Sequence, residues 1–146
     1  MQTQRVTLIT LGAANLAASR AFYERLGWQA HHNSSDSVVF FQIHGAVLGL
    51  FGREALADDQ GRPGTPLGTG AMTLAQNFAT EKEVDAAYAA AIEAGGTPLK
   101  APEEVFWGGY SGYWADLDGH VWEVAMNPFW PLAEDGSLTL PSEPEA

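Results

Sequence analysis

Apolar positions along the chain alternate between a period of two and a period near 3.6, and the switches mark the elements. Val6–Leu11 (VTLITL) is short, β-branched and apolar, the pattern of a strand. Gly12-Ala13-Ala14 breaks it, and Asn15 is placed to cap a helix over Leu16–Leu26 that stops at Gly27. Leu16, Phe22, Tyr23 and Leu26 form one stripe of that helix, with Ser19, Arg20 and Glu24 expected mostly outside it. Trp28–His32 reads as a strand and Asn33–Asp36 as a turn. Ser37–Ile43 and Ala46–Phe51 are two strands around His44-Gly45, and Gly52–Asp59 forms a short helix. The Gly- and Pro-rich run ending at Gly70 is a linker.

The pattern then starts again. Ala71–Asn77 reads as a strand. Thr80 with Glu83 makes a capping box that opens a helix from Glu81 to Ala94, whose inner face is Val84, Tyr88 and Ile92. Thr97–Lys100 is a short strand, and Ala101–Gly109 a loop or bulged strand. Gly112–Pro128 holds two apolar runs around Asp118-Gly119, a hairpin whose turn needs the positive φ that glycine supplies. On its second strand Trp122, Val124 and Met126 share one face, and Val121, Glu123 and Ala125 the other. Glu123 is therefore a carboxylate amid apolar residues, and an ion so placed needs a partner, a metal or a raised pKa. After Asn127, Phe129 and Trp130 offer docking contacts, and Pro141–Ala146 is expected to be disordered.

Both halves run strand, helix, strand, hairpin, a repeat of roughly 70 residues. Setting Gly45 on Gly119 aligns Val47 with Val121, Leu48 with Trp122, Gly49 with Glu123 and Leu50 with Val124, and brings Phe41 near Ala115. The run Leu11–Gly27, with Ser19, Phe22-Tyr23 and Leu26-Gly27, and the run Ala115–Pro128 (ADLDGHVWEVAMNP) resemble the vicinal oxygen chelate superfamily of glyoxalase I, bleomycin-resistance proteins and extradiol dioxygenases. The resemblance implies an α+β fold of paired βαβββ modules whose mixed sheets curl into a cup, usually completed as a homodimer. On that reading residues 1–60 are the first module, 61–70 the linker, 71–128 the second module and 129–146 a tail.

Composition narrows the function. The 146 residues carry 18 acids against 7 bases, a net charge of −11, which argues against nucleic-acid or anionic-membrane partners. There are no cysteines, hence no disulfides and no thiolate chemistry, in keeping with a cytoplasmic location. The N-terminal MQTQRV has no apolar signal core, and no run reaches the roughly 20 residues that span a bilayer.

The resemblance implies metal ligands on the first and the late hairpin strand of each module. Glu123 matches one such position. Leu8, Gly49 and Met72 (or a neighbour, the register of Ala71–Asn77 being open) occupy the other three and are poor ligands, so no metal cofactor is expected. His44 and His120 fall at turns, expected to be solvated. His31 and His32, on a strand, face opposite ways. Glu123 is then either a structural acid paired with Arg5, Arg20, Arg25, Arg53 or Arg62, or a general base or ligand acceptor in the hollow. Gln76, Asn77, Thr10 and Tyr110 are candidate donors. Trp107, Tyr110 and Tyr113, in a glycine-interleaved aromatic run, are candidate ligand contacts, with Phe41 as a pocket wall and Phe51 beside it.

Three functions compete. The first is a metal-free protein that binds an apolar or aromatic small molecule in the inter-module hollow, the acidic balance suiting a cationic ligand. The second is a glyoxalase- or dioxygenase-like enzyme using Glu123 as base or an atypical metal site. The third is an interaction subunit whose hollow is filled by Val6, Leu8, Val47 and Val121.

Overall fold

The computed structural model describes residues 3–142. Its contacts divide the chain into two units: Met1–Ala71 with Asp116–His120, and Met72–Ala115 with Val121–Ala146. The first unit contains strand β1 (Leu8–Ala13), helix α1 (Leu16–Arg25), strands β2 (Val38–Ile43) and β3 (Ala46–Gly52), and helix α2 (Arg53–Asp59). The second contains β4 (Thr73–Asn77), α3 (Glu81–Glu93), β5 (Thr97–Glu104), β6 (Tyr110–Ala115) and β7 (Val121–Met126). Each unit builds one mixed sheet, in the orders β1-β3-β2 and β4-β7-β6-β5. The parallel pairs are β1 with β3 and β4 with β7, and the remaining neighbours are antiparallel. The α+β class with two mixed sheets is thus as expected.

In the first unit the Asn15 side chain accepts from the Ala18 amide, which satisfies one of the unpaired donors at the start of α1. α1 buries Phe22 and Tyr23 completely against Val39, Phe41, Leu48 and Leu50. Full burial of a side chain such as Phe22 contributes roughly 1.5–3 kcal/mol. Ser19, expected outside the stripe, is also buried, because it lies three and four residues before Phe22 and Tyr23 on the same face.

Trp28–His32 is not a strand. Only Ala30 bridges to Phe41. Trp28 instead packs its ring on Tyr23 and Phe41, with centroids 5.3 and 5.6 Å away. The outer edge of β2 is satisfied piecemeal: the His31 amide donates to the Phe40 carbonyl (2.7 Å), the Phe40 amide to Ser34 Oγ (2.9 Å), and the Ser35 amide to the Val38 carbonyl (2.8 Å). A turn and a serine thus blunt an edge that a full strand was expected to cover.

In the second unit Thr80 caps α3: its Oγ1 accepts from the Glu83 amide (3.1 Å) and donates to Glu83 Oε1 (3.0 Å). Trp114 and Trp122 stack at 5.6 Å, nearly parallel and buried, with Val84, Ala91 and Val124 completing the core. The strand expected over Thr97–Lys100 continues to Glu104 through two register shifts. At that bulge the β5 backbone comes close to Gly112. A Cβ there would lie 2.8 Å from the Pro102 nitrogen and 2.9 Å from the Lys100 oxygen, so only glycine fits. β4 starts at Thr73, leaving Met72 outside the strand and half exposed. Residues 143–146 of the tail expected to be disordered lie outside the described residues.

The β6–β7 turn, Asp116–His120, belongs to the first unit, whereas the sequence-drawn second module contained it. Asp116 is buried and carries no ion pair among the described residues. Its Oδ1 accepts from the Asp118 and His120 amides (both 2.9 Å), and its Oδ2 from the Tyr23 hydroxyl (2.7 Å). Around it the Ala14 amide donates to Asp118 Oδ1 (2.8 Å), Arg53 bonds the Asp118 carbonyl (3.1 Å), and His120 Nε2 donates to the Gly12 carbonyl (2.7 Å). His120 is thus engaged, not simply solvated. Gly119 holds φ at +90°, as the turn requires.

Tyr23→Phe strips one donor from a buried carboxylate, so chemical denaturation is expected to show a loss of about 1–3 kcal/mol. Asp116→Ala orphans two amides and the Tyr23 hydroxyl together, and its loss is expected to exceed that of Tyr23→Phe in the same titration.

Candidate functional site

Glu123 lies at the centre of a row that crosses the second sheet. It is in register with Ala75 of β4 on one side and Tyr113 of β6 on the other. The face it occupies follows from alternation. The Tyr110 hydroxyl donates to Asp85 Oδ1 on α3 (2.6 Å), so Tyr110, Gly112 and Trp114 face that helix. Tyr113, Glu123, Val121 and Ala125 therefore lie on the opposite face, and Glu123 and Tyr113 are both half-buried.

Glu123 is partnered by Tyr113, not by an arginine. No ion pair among the described residues includes Glu123. Arg20 pairs with Glu24, Arg53 with Asp118, and Arg62 bonds Gln60. Burial, the negative charge of Glu123 and the hydrogen bond to it all hold the proton on the Tyr113 phenol and raise its pKa. The pair is a phenol that stays protonated beside a carboxylate acceptor.

The first unit repeats the row with other chemistry. Gly49 is in register with Thr10 and Phe40, as Glu123 is with Ala75 and Tyr113. A Cβ on Gly49 would meet Thr10 Oγ1 at 3.4 Å and the Phe40 ring at 3.6 Å, so a hydroxyl and a benzene ring border the glycine. Beside this row Leu8, Val47, Phe40, Gln42, His31 and Asn33 line a cavity of about 270 Å³. His31 and His32 do not face opposite ways. Their rings lie 4.1 Å apart, because the segment turns instead of extending. The Asn33 amide donates to His31 Nδ1 (3.1 Å).

The remaining candidates are dispersed. Asn77, in register with Ala125, shares the face of Glu123, while Gln76, in register with Val124, faces α3. The Tyr110 phenol is engaged by Asp85, which pushes its pKa up to about 12. Trp107 lies in the exposed turn before β6, where a Cβ on Gly109 would overlap its indole. Phe41 is in the α1 core at 5.9 Å from Tyr23, in register with Leu48. It corresponds to Trp114, not to Ala115; the one-residue slip in the repeat alignment reversed its face. The residue that corresponds to Tyr113 is Phe40. Strict alternation back from Gly49 across the hairpin would have singled it out. Phe51 is half-buried at the end of β3.

The paired registers also settle the open strand. Leu8 faces Val47 as Thr73 faces Val121, so Thr73, not Met72, is the counterpart of Leu8. Neither unit assembles a donor set on these rows. Leu8, Thr10, Gly49 and Phe40 offer one hydroxyl. Thr73, Ala75, Glu123 and Tyr113 offer one carboxylate and two hydroxyls. Among the described residues no three His, Cys, Asp or Glu are grouped to hold an ion. These residues do not fit a tightly bound divalent metal, whose affinity needs several charged or imidazole donors.

A family model described as Glyoxalase/Bleomycin resistance protein/Dioxygenase superfamily matches residues 5–124. The chain belongs to this superfamily. It is 38% identical to a glyoxalase-related enzyme from Fulvimarina pelagi, with a TM-score of 0.87 over 96% of this chain and 100% of that one. A glyoxalase/bleomycin resistance protein/dioxygenase family enzyme from Burkholderia phytofirmans PsJN shares the fold at 23% identity and TM-score 0.72, covering 82% and 96% of the two chains. Lactoylglutathione lyase from Agrobacterium tumefaciens does so at 23% identity and TM-score 0.66, covering 90% and 100%. No curated protein matches the chain. No helix among the described residues is long and apolar enough to cross a membrane.

Tyr110 and Tyr113 carry raised phenol pKa values. Alkaline titration followed by tyrosinate absorbance is expected to show Tyr110 and Tyr113 ionising above the ordinary range near 10. Glu123→Gln should bring the Tyr113 transition down while leaving that of Tyr110 in place. For Tyr110 the unfolded chain loses its proton first. The stability linked to it is therefore complete below pH 10 and lost as pH rises toward about 12.

Proposed function

We propose that this superfamily member binds a small apolar or aromatic molecule through the sheet face that carries Glu123, without a resident metal. Glu123 and Tyr113 supply the polar contacts. The supporting observation is the placement of Glu123: half-buried at mid-strand, between Val121 and Ala125 on its own face, with a phenol as its partner. A carboxylate has about four lone-pair sites, and one phenol fills at most one of them. The rest are available to a ligand. Asn77 on the same face adds an amide.

The enzyme reading draws on the same pair. A carboxylate acceptor beside a phenol that keeps its proton is the equipment for moving a proton from an acidic C–H while donating to the developing oxyanion. The likeness to a glyoxalase-related enzyme at 38% identity favours keeping this reading second. It adds turnover to binding and uses the same two groups.

Glu123→Gln preserves shape and removes the charge. For ligands selected from an aromatic panel by amide chemical-shift changes at Tyr113 and Glu123, this substitution is expected to weaken binding by ten- to a hundredfold. The thermal midpoint should move by only a few degrees. Unchanged affinity with a large fall in the midpoint would make Glu123 a structural residue and end the proposal.

A further inference from the structure

We infer that the group received by Glu123 is an organic cation, an ammonium or amidinium head on an apolar body. This rests on the reading of Glu123 and Tyr113 as ligand contacts and goes beyond it by naming the charge of the ligand. The first observation is how charge divides between the units. The first unit has seven acids and five arginines. The second has eleven acids, no arginine, and only Lys82 and Lys100. Nine of the eleven net negative charges thus belong to the unit that carries Glu123.

Neither lysine neutralises Glu123. Lys100 is in register with Tyr113, two strands from Glu123, and pairs with Glu103 at 3.1 Å. Lys82 lies exposed on α3, the helix that covers the other face of the sheet. The partner Glu123 does have, the Tyr113 phenol, keeps its own proton and leaves the negative charge in place. A half-buried carboxylate with uncompensated charge favours a positive group over a neutral donor, because charge-assisted hydrogen bonds are about twice as strong as neutral ones.

The second observation separates an organic cation from a metal ion. Ala75, Val121 and Ala125 put hydrocarbon beside Glu123, the polar groups of Thr73, Asn77, Ser111 and Tyr113 on the same face are neutral, and the row supplies one carboxylate. That set satisfies an ammonium, which needs one acceptor and tolerates apolar walls. It leaves a divalent ion short of donors. The Tyr113 ring, in register beside the carboxylate, adds an aromatic face of the kind that attracts ammonium groups. An anionic ligand would meet the same carboxylate with repulsion, within a unit whose net charge opposes its approach.

Three probes of one size and different charge test this: phenethylammonium, phenethyl alcohol and phenylacetate, each followed by amide chemical shifts of Tyr113 and Glu123 at low salt. The ammonium is expected to bind about tenfold more tightly than the alcohol. Phenylacetate should be weakest, and added salt should shrink the difference. Glu123→Gln should erase the preference. Tyr113→Phe, which keeps the carboxylate, should retain it and serves as the second variant if Glu123→Gln does not fold. If the alcohol or phenylacetate binds at these signals as tightly as the ammonium, the cation inference is overturned while the site reading stands. If none of the three moves these signals at concentrations up to about 10 mM, the site reading fails together with the inference.

Discussion

The register of β6 against β7 depends on a buried carboxylate, Asp116, that has no ion pair among the described residues. Asp116 spends its oxygens on two turn amides and one tyrosine hydroxyl. An acid out of water is tolerated when its lone pairs are filled in this way. By fixing the Asp118 and His120 amides, it sets the length of the turn, and with Gly119 at positive φ it places Ala115 opposite Val121. Everything further along follows by alternation: Trp114 meets Trp122 under α3, and Tyr113 meets Glu123 on the other face. A turn longer by one residue would send Glu123 into the tryptophan core and the indoles to the other face. The chemistry of the site is thus a consequence of how one aspartate is satisfied.

The two units show how one backbone plan carries different chemistry. Row for row, Thr10, Gly49 and Phe40 stand where Ala75, Glu123 and Tyr113 stand. In the first unit the central position has no side chain, and a benzene ring borders it at van der Waals distance. In the second it is ionic. The fold conserves the register because both faces of each sheet are committed, one to a helix and one to the row. Within that register the central side chain is free to change from acid to nothing.

Much of this was legible in the sequence because it depends on local rules. The caps at Asn15 and Thr80, the break at Gly27, and the turn at Asp118-Gly119 are short-range physics, and the elements they bound formed within a few residues of expectation. The face of Glu123 was legible for the same reason: alternation within one strand needs no partner. Pairing across strands was less legible. Phe41 was placed by counting back across a hairpin, and an error of one residue exchanged a core aromatic for the one beside Gly49. Trp28–His32 reads as a strand because it lies between the break at Gly27 and the turn-like Asn33–Asp36. Its tryptophan is drawn onto Tyr23 and Phe41 instead, and two stacked imidazoles follow. Tyr110 and Gln76 went to the helix side through pairings that no local pattern announces.

The contrast between the two acids carries the functional argument. Asp116 and Glu123 both sit in or beside the hairpin, and among the described residues neither forms an ion pair with a lysine or arginine. Asp116 is buried and receives three donors from its own unit, so it has little left to offer and acts as a structural knot. Glu123 is half-buried, and the group in register beside it is a phenol that keeps its proton. If Glu123 served only the fold, the same chain would be expected to saturate it as it saturates Asp116, since an under-bonded acid among alanine and valine side chains costs stability. An acid left with spare acceptor capacity, on a sheet face and in a unit without arginine, is a cost that binding can offset. That asymmetry of donors, more than the identity of the residue, is the physical reason to place the ligand at Glu123.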